Sequence, residues 1–338
     1  MRNYTIKTPV YFLCAGCTSL YAEALSWANA NPETVTSDLN LAKSVVVLGC
    51  QVTDLAVLND MQILEKLSSS FAKTNIYVSG CLGRREDIPL PKGIRRLANM
   101  RSDYQILYDF NLVQWADPFW LKPEDKDDHI KNRFRDDYPL RIGVGCHGTC
   151  AFCTIRKTRG IAYDLDSVTQ LAEAAQAMKT GKGITLTADS PKAKIIRNWL
   201  KLGGRFGMLG AWSKNLSLKN VEPHVMLSMK DDLIEAANFG ALRTVHSPIQ
   251  NPNSNAADIM NRAPIKPEFF DLIQKLKDSD VKCATNIIID YPGLDNPTDK
   301  EMSLWDIVDW NPYWDGIWDR EKAEQRMAKY FPWKGEQK

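Results

Sequence analysis

Three cysteines in the stretch GCHGTCAFCT, Cys146, Cys150 and Cys153, stand at C-x3-C-x2-C spacing. Three thiolates so close together fix three of the four irons of a 4Fe-4S cube and leave one iron without a protein ligand. An open iron can bind a small molecule. The competing chemistry is a Cys3His zinc site using His147, but a His lodged between the first two cysteines fits a tetrahedral site poorly beside separated ligand pairs. Three more cysteines each follow a glycine at the end of an apolar run: Cys17 after VYFLCAG, Cys50 after SVVVLG and Cys81 after NIYVSG. In a reducing compartment such a set reads as metal ligands or catalytic thiols rather than disulfides.

The elements that must position these thiols follow from the same runs. Short segments rich in Val, Ile, Tyr and Phe read as buried parallel strands when helix-like segments such as 54–73 lie between them. Strands are expected near 9–13, 44–48 and 75–79, with a further one near 105–111. The gaps from Cys17 to Cys50 and from Cys50 to Cys81 are each about one strand-helix unit, and open parallel sheets bind ligands at the carboxyl ends of their strands. Three thiols distant in sequence can therefore converge on one edge. Cys14 lies three residues before Cys17 but inside the strand run, so Cys17 is the better ligand, and Cys283 at the head of an apolar strand reads as a buried hydrophobe.

A second set of β-like runs follows a charged, irregular segment, WADPFWLKPEDKDDHIKNRFRDDYP: residues 140–145, 184–188, 205–210, 224–229, 242–247 and 284–290. Six such runs fit an open barrel smaller than the eightfold one, again with its site at the strand C-termini. The expected class is α/β: an N-terminal open parallel-sheet domain over 1–112, a charged linker over 113–138, a partial (β/α)6 barrel over 139–298 and a Trp-rich tail over 299–338. A helix is expected at 320–330. The tail's aromatics are expected to pack across the open barrel edge.

Composition narrows the field further. The 338 residues carry 43 Lys and Arg against 41 Asp and Glu, a net charge of +2, so any nucleic-acid binding must come from a local patch. No apolar run approaches the length that spans a bilayer, and the N-terminus lacks a signal peptide's apolar core and cleavage site, which predicts a cytoplasmic protein without a membrane partner. The four histidines, at 129, 147, 224 and 246, form no triad pattern.

The C-x3-C-x2-C stretch, with an aromatic, Phe152, before the last cysteine, resembles the radical S-adenosylmethionine (SAM) superfamily motif. A three-cysteine α/β domain ahead of such a barrel is similar to the methylthiotransferase family, which modifies transfer RNA adenosine or a ribosomal-protein aspartate. GCHGTCAFCTIRKTRG (145–160) resembles that family's cluster loop with its Arg-Gly. SPIQNPNSNAADIMNR (247–262) resembles its Pro-x-Gln-Ser-Gly segment ending in Met-x-Arg, and TNIIIDYPG (285–293) its aspartate, apolar run and Phe-Pro-Gly. The likeness spans roughly residues 8–298. Departures are plain: the family's Asn-x-x-Asp-Ser-Glu after the first cysteine is here Leu20-Tyr-Ala-Glu-Ala-Leu, its Ser-Arg-Pro is Asp164-Leu-Asp, and its Glu before the second barrel strand is Gly183. The chain ends about where the family's C-terminal β-barrel RNA-binding domain would begin, as in a shortened form.

The resemblance implies two 4Fe-4S clusters and SAM as cofactors. The cluster on Cys146, Cys150 and Cys153 would pass an electron to SAM, yielding a 5′-deoxyadenosyl radical that abstracts hydrogen from an unactivated carbon. An auxiliary cluster on Cys17, Cys50 and Cys81 would hold the sulfur, and the two rims would face one another across the substrate. A flavodoxin or ferredoxin would serve as electron donor. By the same comparison Phe152 would lie against the adenine, Gln250 would line the active-site mouth and Arg262 would help position cofactor or substrate. Each of the three has a plainer reading, as loop packing, backbone satisfaction or a surface pair.

The expected substrate is C2 of a modified adenosine in the transfer RNA anticodon loop. Arg156, Lys157 and Arg159 beside the cluster loop, with Lys192, Lys194, Arg197 and Lys201 on a helix-like segment, supply candidate phosphate contacts. An extruded base would suit the barrel mouth. The alternatives are a ribosomal-protein aspartate, another auxiliary-cluster radical SAM reaction, and a non-catalytic metal-cluster scaffold that binds a partner through the Trp-rich tail.

Overall fold

SVVVLG at residues 44–49 is buried at every position, as a strand covered on both faces requires. In the computed structural model, which describes residues 6–71, 73–97, 113–116, 137–165, 174, 183–205 and 216–331, this segment is the centre of a parallel sheet. The chain divides into two units, Met1–Pro123 with Trp314–Lys338, and Glu124–Tyr313.

The first unit holds β1 (Val10–Cys14), β2 (Ser44–Gly49), β3 (Asn75–Ser79), β4 (Arg95–Arg96) and β5 (Val113–Trp115), in the order β4-β3-β2-β1-β5. All described pairings are parallel. Helices Thr18–Ala30 and Asp54–Ser70 connect the first three strands. The second is capped by Thr53, whose hydroxyl accepts from the Ala56 N–H, and it presents Leu55, Leu58, Met61 and Leu64 to the interior. Because β1 pairs with β2 on one side and β5 on the other, the strand order reverses at β1, the place where open α/β sheets bind ligands. The strand expected near 105–111 lies outside the described residues.

The linker expected from residue 113 gives way at its first three residues, which are β5. They pair with Phe12, Leu13 and Cys14, and Val113 is buried, so the run belongs to the sheet rather than to a crossing segment. The tail expected at 299–338 also divides. Its first part joins the barrel sheet, while Trp314 and Trp318 pack with Val47, Leu82 and Ile88 in the first unit. The expected helix at 320–330 is present as Arg320–Tyr330, N-capped by Asp319, and lies against Asp54–Ser70.

The second unit contains β6 (Tyr138–Arg141), a short antiparallel pair of β7 (Gly143–Val144) and β8 (Tyr163–Asp164), then β9 (Ile184–Thr187), β10 (Leu216–Lys219), β11 (Leu242–His246), β12 (Lys282–Ile289) and β13 (Ile307–Pro312). Six of these form a parallel sheet in the order β13-β12-β11-β10-β9-β6, each beside its sequence neighbour, as a partial (β/α)6 barrel demands. The α/β class is thus observed in both units. Expectation and structure part at two strands. Residues 224–229 lie within or just after a helix, Pro223–Ser228, because Pro223 occupies a first-turn position with its torsion preset and a short apolar run has no decisive period. The strand in that region is instead Leu216–Lys219. Residues 206–210 of the run expected at 205–210 lie outside the described residues. Trp305 packs on Phe269 of the helix Pro267–Asp278 with ring centroids 6.1 Å apart. No described helix is long and apolar enough to cross a membrane.

Candidate functional site

The cluster loop runs from Gly145, directly after β7, to Gly160. Gly145 has φ +80°, and a Cβ on it would lie 2.7 Å from the carbonyl oxygens of both Gly160 and Ile161, so this position needs glycine on two counts. The loop closes where the Cys146 N–H donates to the Gly160 carbonyl at 3.1 Å. Asp189, just past β9, ties both ends: one carboxylate oxygen accepts from the Gly145 N–H and from Arg159 Nε, each at 2.8 Å. Both partners of that ion pair are buried, with side chains 2% and 6% exposed. The middle of the loop hangs on residues 260–261. The Ala151 N–H donates to the Met260 carbonyl at 2.9 Å, and Asn261 Nδ2 donates to the Thr149 carbonyl at 2.8 Å.

Cys146, Cys150 and Cys153 are all half-buried on this loop. Backbone N–H groups already point at two of the sulfurs, Gly148 at Cys146 Sγ (3.2 Å) and Ile155 at Cys153 Sγ (3.4 Å). Such donors favour the thiolate that a metal requires. A Cβ at Gly148 would sit 3.2 Å from Cys146 Sγ and 3.7 Å from Cys150 Sγ, so glycine there leaves room beside two thiols. As free thiols, Cys150 and Cys153 resist ionisation. Burial pushes Cys153 up to about 12, and raises Cys150 against the pull of the Arg262 guanidinium, with Glu222 and Cys146 adding to the rise.

Among the described residues no three His, Cys, Asp or Glu side chains converge on a point that one metal ion could occupy. A tetrahedral zinc ion would need its ligands at about 2.0–2.3 Å from a single centre. An iron-sulfur cube attaches each thiolate to a different iron and so holds the sulfurs apart. Three cysteines, inward N–H donors and a glycine gap fit a cube better than a zinc ion.

In the first unit, the register aligns Cys14, Leu48 and Ser79 in one row across β1, β2 and β3. Cys17, Cys50 and Cys81 lie three, two and two residues beyond that row, at the same edge of three adjacent strands. Cys17 caps helix Thr18–Ala30, Cys50 donates its N–H to Asp60 Oδ2 at 2.6 Å, and Cys81 lies in the short helix Gly80–Gly83. The preceding glycines permit close packing at the strand ends: a Cβ on Gly16 would be 2.4 Å from Leu20, and one on Gly80, whose φ is +75°, 2.9 Å from the Gly49 carbonyl. Cys14 is fully buried inside β1, and Cys283 is buried with its thiol directed at the Ile273 and Val281 carbonyls.

Phe152 packs edge-on to Tyr291 (6.3 Å between centroids), which in turn stacks edge-on to Tyr313 (4.6 Å), in a cluster with Met260 and Ile288. Gln250, at φ +68°, is held by its backbone, donating to the Asn286 carbonyl (2.8 Å) and accepting from the Ile288 N–H (2.7 Å). Arg262 donates to the Ile249 and Pro248 carbonyls at 2.9 Å each and pairs with Glu222. Its guanidinium joins the segment just past β11 to Glu222.

Of the basic residues, Arg159 pairs with Asp189, Lys192 with Asp164 and Arg197 with Asp232. Arg156, Lys157, Lys194 and Lys201 are exposed. The expected patch is therefore smaller than its residue count.

A polar chain near the strand C-termini of the second unit had no counterpart in the sequence reading. The Asn220 N–H donates to His246 Nδ1 at 3.2 Å, His246 Nε2 bonds Asn286 Oδ1, and Asn286 Nδ2 donates to Asp309 Oδ2 at 3.4 Å. The proton of His246 is thus fixed on Nε2. Burial and then the charge of Lys219 pull His246 down to about 3, against the Asn286 bond. The folded protein therefore keeps it neutral while the unfolded chain protonates below about 6.5, so stability falls as pH drops from that value toward 3. By pH 5 the loss from this group amounts to about 2 kcal/mol. Urea unfolding at pH 7 and pH 5 should show this loss, and a His246→Gln variant should show a correspondingly flatter pH dependence; an equal slope in both proteins would contradict it.

Residues 140–303 match the radical SAM superfamily. The chain carries a radical SAM domain. Over 299 residues it is 26% identical to tRNA-2-methylthio-N(6)-dimethylallyladenosine synthase of Sulfurimonas denitrificans, covering 80% of this chain and 65% of that protein. It is 22% identical over 332 residues to the ribosomal protein uS12 methylthiotransferase RimO of Afipia carboxidovorans, covering 91% and 72%. The chain therefore spans just under two thirds of the first relative's length. The radical SAM methyltransferase TsrM of Kitasatospora setae, solved with cobalamin and a 4Fe-4S cluster, shares the fold at a TM-score of 0.57, with 10% identity over 90% of this chain and 75% of that one. The Arg-Gly that closes the radical SAM domain's cluster loop takes its buried partner from Asp189, a residue the sequence reading passed over although it stands at a strand end, where ligand-site residues collect.

Proposed function

We propose that the chain is a radical SAM methylthiotransferase of the cytoplasm that inserts a methylthio group at an unactivated carbon, C2 of a modified transfer RNA adenosine. The observation that carries this reading is the pair of cysteine triplets, one on the anchored loop of a radical SAM domain and one at the edge of a separate parallel sheet. Similarity to methylthiotransferases along 80–91% of the chain supports it.

In this reading Cys146, Cys150 and Cys153 hold one 4Fe-4S cluster, and Cys17, Cys50 and Cys81 hold the other. When reduced, the first cluster supplies the electron that splits bound SAM and so opens unactivated C–H bonds to attack, a chemistry that belongs to the cofactor. The protein's part is orientation. Asp189 and Arg159 fix the two ends of the cluster loop, Met260 and Asn261 its middle, and the Phe152, Tyr291 and Tyr313 cluster packs beside it. Gln250, whose side chain has no hydrogen-bond partner among the described residues, supplies a polar group beyond β11 for substrate or cofactor. Exposed Arg156, Lys157, Lys194 and Lys201 provide phosphate contacts, and a flavodoxin or ferredoxin supplies electrons.

Mass spectrometry of digested transfer RNA and of ribosomal proteins, from cells with and without this chain, tests the proposal. A methylthio gain on an adenosine, dependent on the chain, is the expected result. A gain on a ribosomal-protein aspartate would retain the chemistry and replace the substrate, and no gain in either pool would overturn the transfer of a methylthio group.

A further inference from the structure

Arg85 has a side chain 11% exposed and reaches three parts of the first unit at once. Its own position is four residues past Cys81, on the turn where the Arg84 N–H donates to the Cys81 carbonyl at 3.2 Å. Nη1 donates at 2.7 Å to Oε1 of Gln51, the fully buried neighbour of Cys50. Nη2 donates at 2.7 Å to the carbonyl of Gly316, from the far end of the chain. Asp87 holds the guanidinium in a bidentate pair at 2.6 and 2.7 Å, and the Trp314 ring lies beneath it at 5.6 Å.

The segment Trp314–Tyr330 that supplies Gly316 is itself well seated. Trp314 is buried in the unit's core and donates its Nε1 hydrogen to the Ile317 carbonyl. Arg326 pairs at 2.8 Å with the buried carboxylate of Asp54, four residues past Cys50, and Arg320 pairs with Glu65 on the same helix. One arginine thus ties the turn after Cys81 to the turn after Cys50, and both to a C-terminal brace that separately grips the helix leading out of the Cys50 turn. A planar guanidinium with five fixed donors suits such a junction, and lysine with a single ammonium could satisfy it only in part.

We propose that Arg85 is a positioning residue for the auxiliary cluster, setting the Cys50 and Cys81 turns relative to each other, and that Trp314–Tyr330 is the brace that fixes it. This rests on the reading of Cys17, Cys50 and Cys81 as cluster ligands. Groups just outside a metal's own ligands hold those ligands in place, and their loss commonly weakens metal retention by one to two orders of magnitude.

The test uses the full chain with Cys146, Cys150 and Cys153 all changed to Ala, so that only the auxiliary cluster remains. After anaerobic reconstitution this protein should take up about four irons. Arg85→Met, which keeps the apolar stem, should release iron to a ferrous chelator on the order of tenfold faster and show a changed electron paramagnetic resonance spectrum in the reduced state. Arg85→Lys should fall between the two, and Arg326→Ala should move release in the same direction by less. Wild-type release rate and spectrum in a folded Arg85→Met protein would overturn the proposal. Should that variant fail to fold, Arg326→Ala decides, with unchanged release counting against it. A background protein that takes up no iron would instead defeat the auxiliary-cluster reading itself, a result distinct from either.

Discussion

Changing Cys150 to Ala should abolish the proposed reductive cleavage of SAM, to background, while the protein stays folded. The thiol is half-buried on a loop held by five bonds that do not involve it: Gly145 and Arg159 to Asp189, Cys146 to Gly160, Ala151 to Met260 and Asn261 to Thr149. Removing one sulfur therefore leaves the loop standing but strips a cluster of one of only three protein ligands. Iron after reconstitution should fall by about four per chain, and chromatography of the reaction should show no methionine released from SAM. Two comparisons sharpen the result. Cys283→Ala, at a fully buried thiol against the helix Pro267–Asp278, should cost about 1 kcal/mol of stability and leave cleavage intact. Cys50→Ala should keep SAM cleavage and lose methylthio transfer. Cleavage by Cys150→Ala at the wild-type rate would remove the loop from the mechanism altogether.

The second large effect is structural. Asp189→Ala removes the carboxylate that faces Arg159, 2% exposed, and with it the acceptor of the Gly145 N–H. Breaking a buried ion pair from one side costs about 3–5 kcal/mol, because the remaining charge stays in a medium that does not solvate it. Urea unfolding of the full chain should show that loss. Asp189→Asn, which keeps the shape and one acceptor oxygen, should lose less, and the cluster loop of the Ala variant should become the first site of protease cleavage. A loss under about 1 kcal/mol would mean that Arg159 finds another partner and that the loop is held elsewhere.

The sequence was most legible where chemistry and period coincide. Gly-Cys at the end of an apolar run located three strand ends within a residue or two, since a buried parallel strand must be apolar throughout and must stop where the chain turns over its edge. The helix Arg320–Tyr330 was legible from its own run of residues, and the structure adds Asp319 as its N-cap. The misses have physical causes. LSLK at 216–219 is four residues with a serine and a lysine alternating with leucines, a pattern that reads as surface although all four positions are buried. HVMLSM carries an apolar run too short for its period to speak, and Pro223 decided it. Val113–Trp115 was absorbed into the charge beside it. Among the site residues, the cysteines were legible by type and spacing, but Asp189, Asn261 and the His246 to Asp309 chain were not. Their roles depend on contacts across 23 to 112 residues of sequence, which no local pattern encodes.

The placement of Trp314 sets a schedule for synthesis. The first unit is built from two stretches, 1–123 and 314–338, and the whole of 124–313 is translated between them. At about 5–20 residues per second a ribosome spends roughly 10–40 seconds on that insert before the tryptophan that fills the first core is made. For that interval Val47, Leu82 and Ile88 lack one of their buried neighbours, and Arg85 lacks the Gly316 carbonyl. The Cys50 and Cys81 turns therefore emerge early and are secured late. Under the proposed reading, iron and sulfide that arrive before the last helix docks would meet turns not yet braced through Arg85 and Gly316.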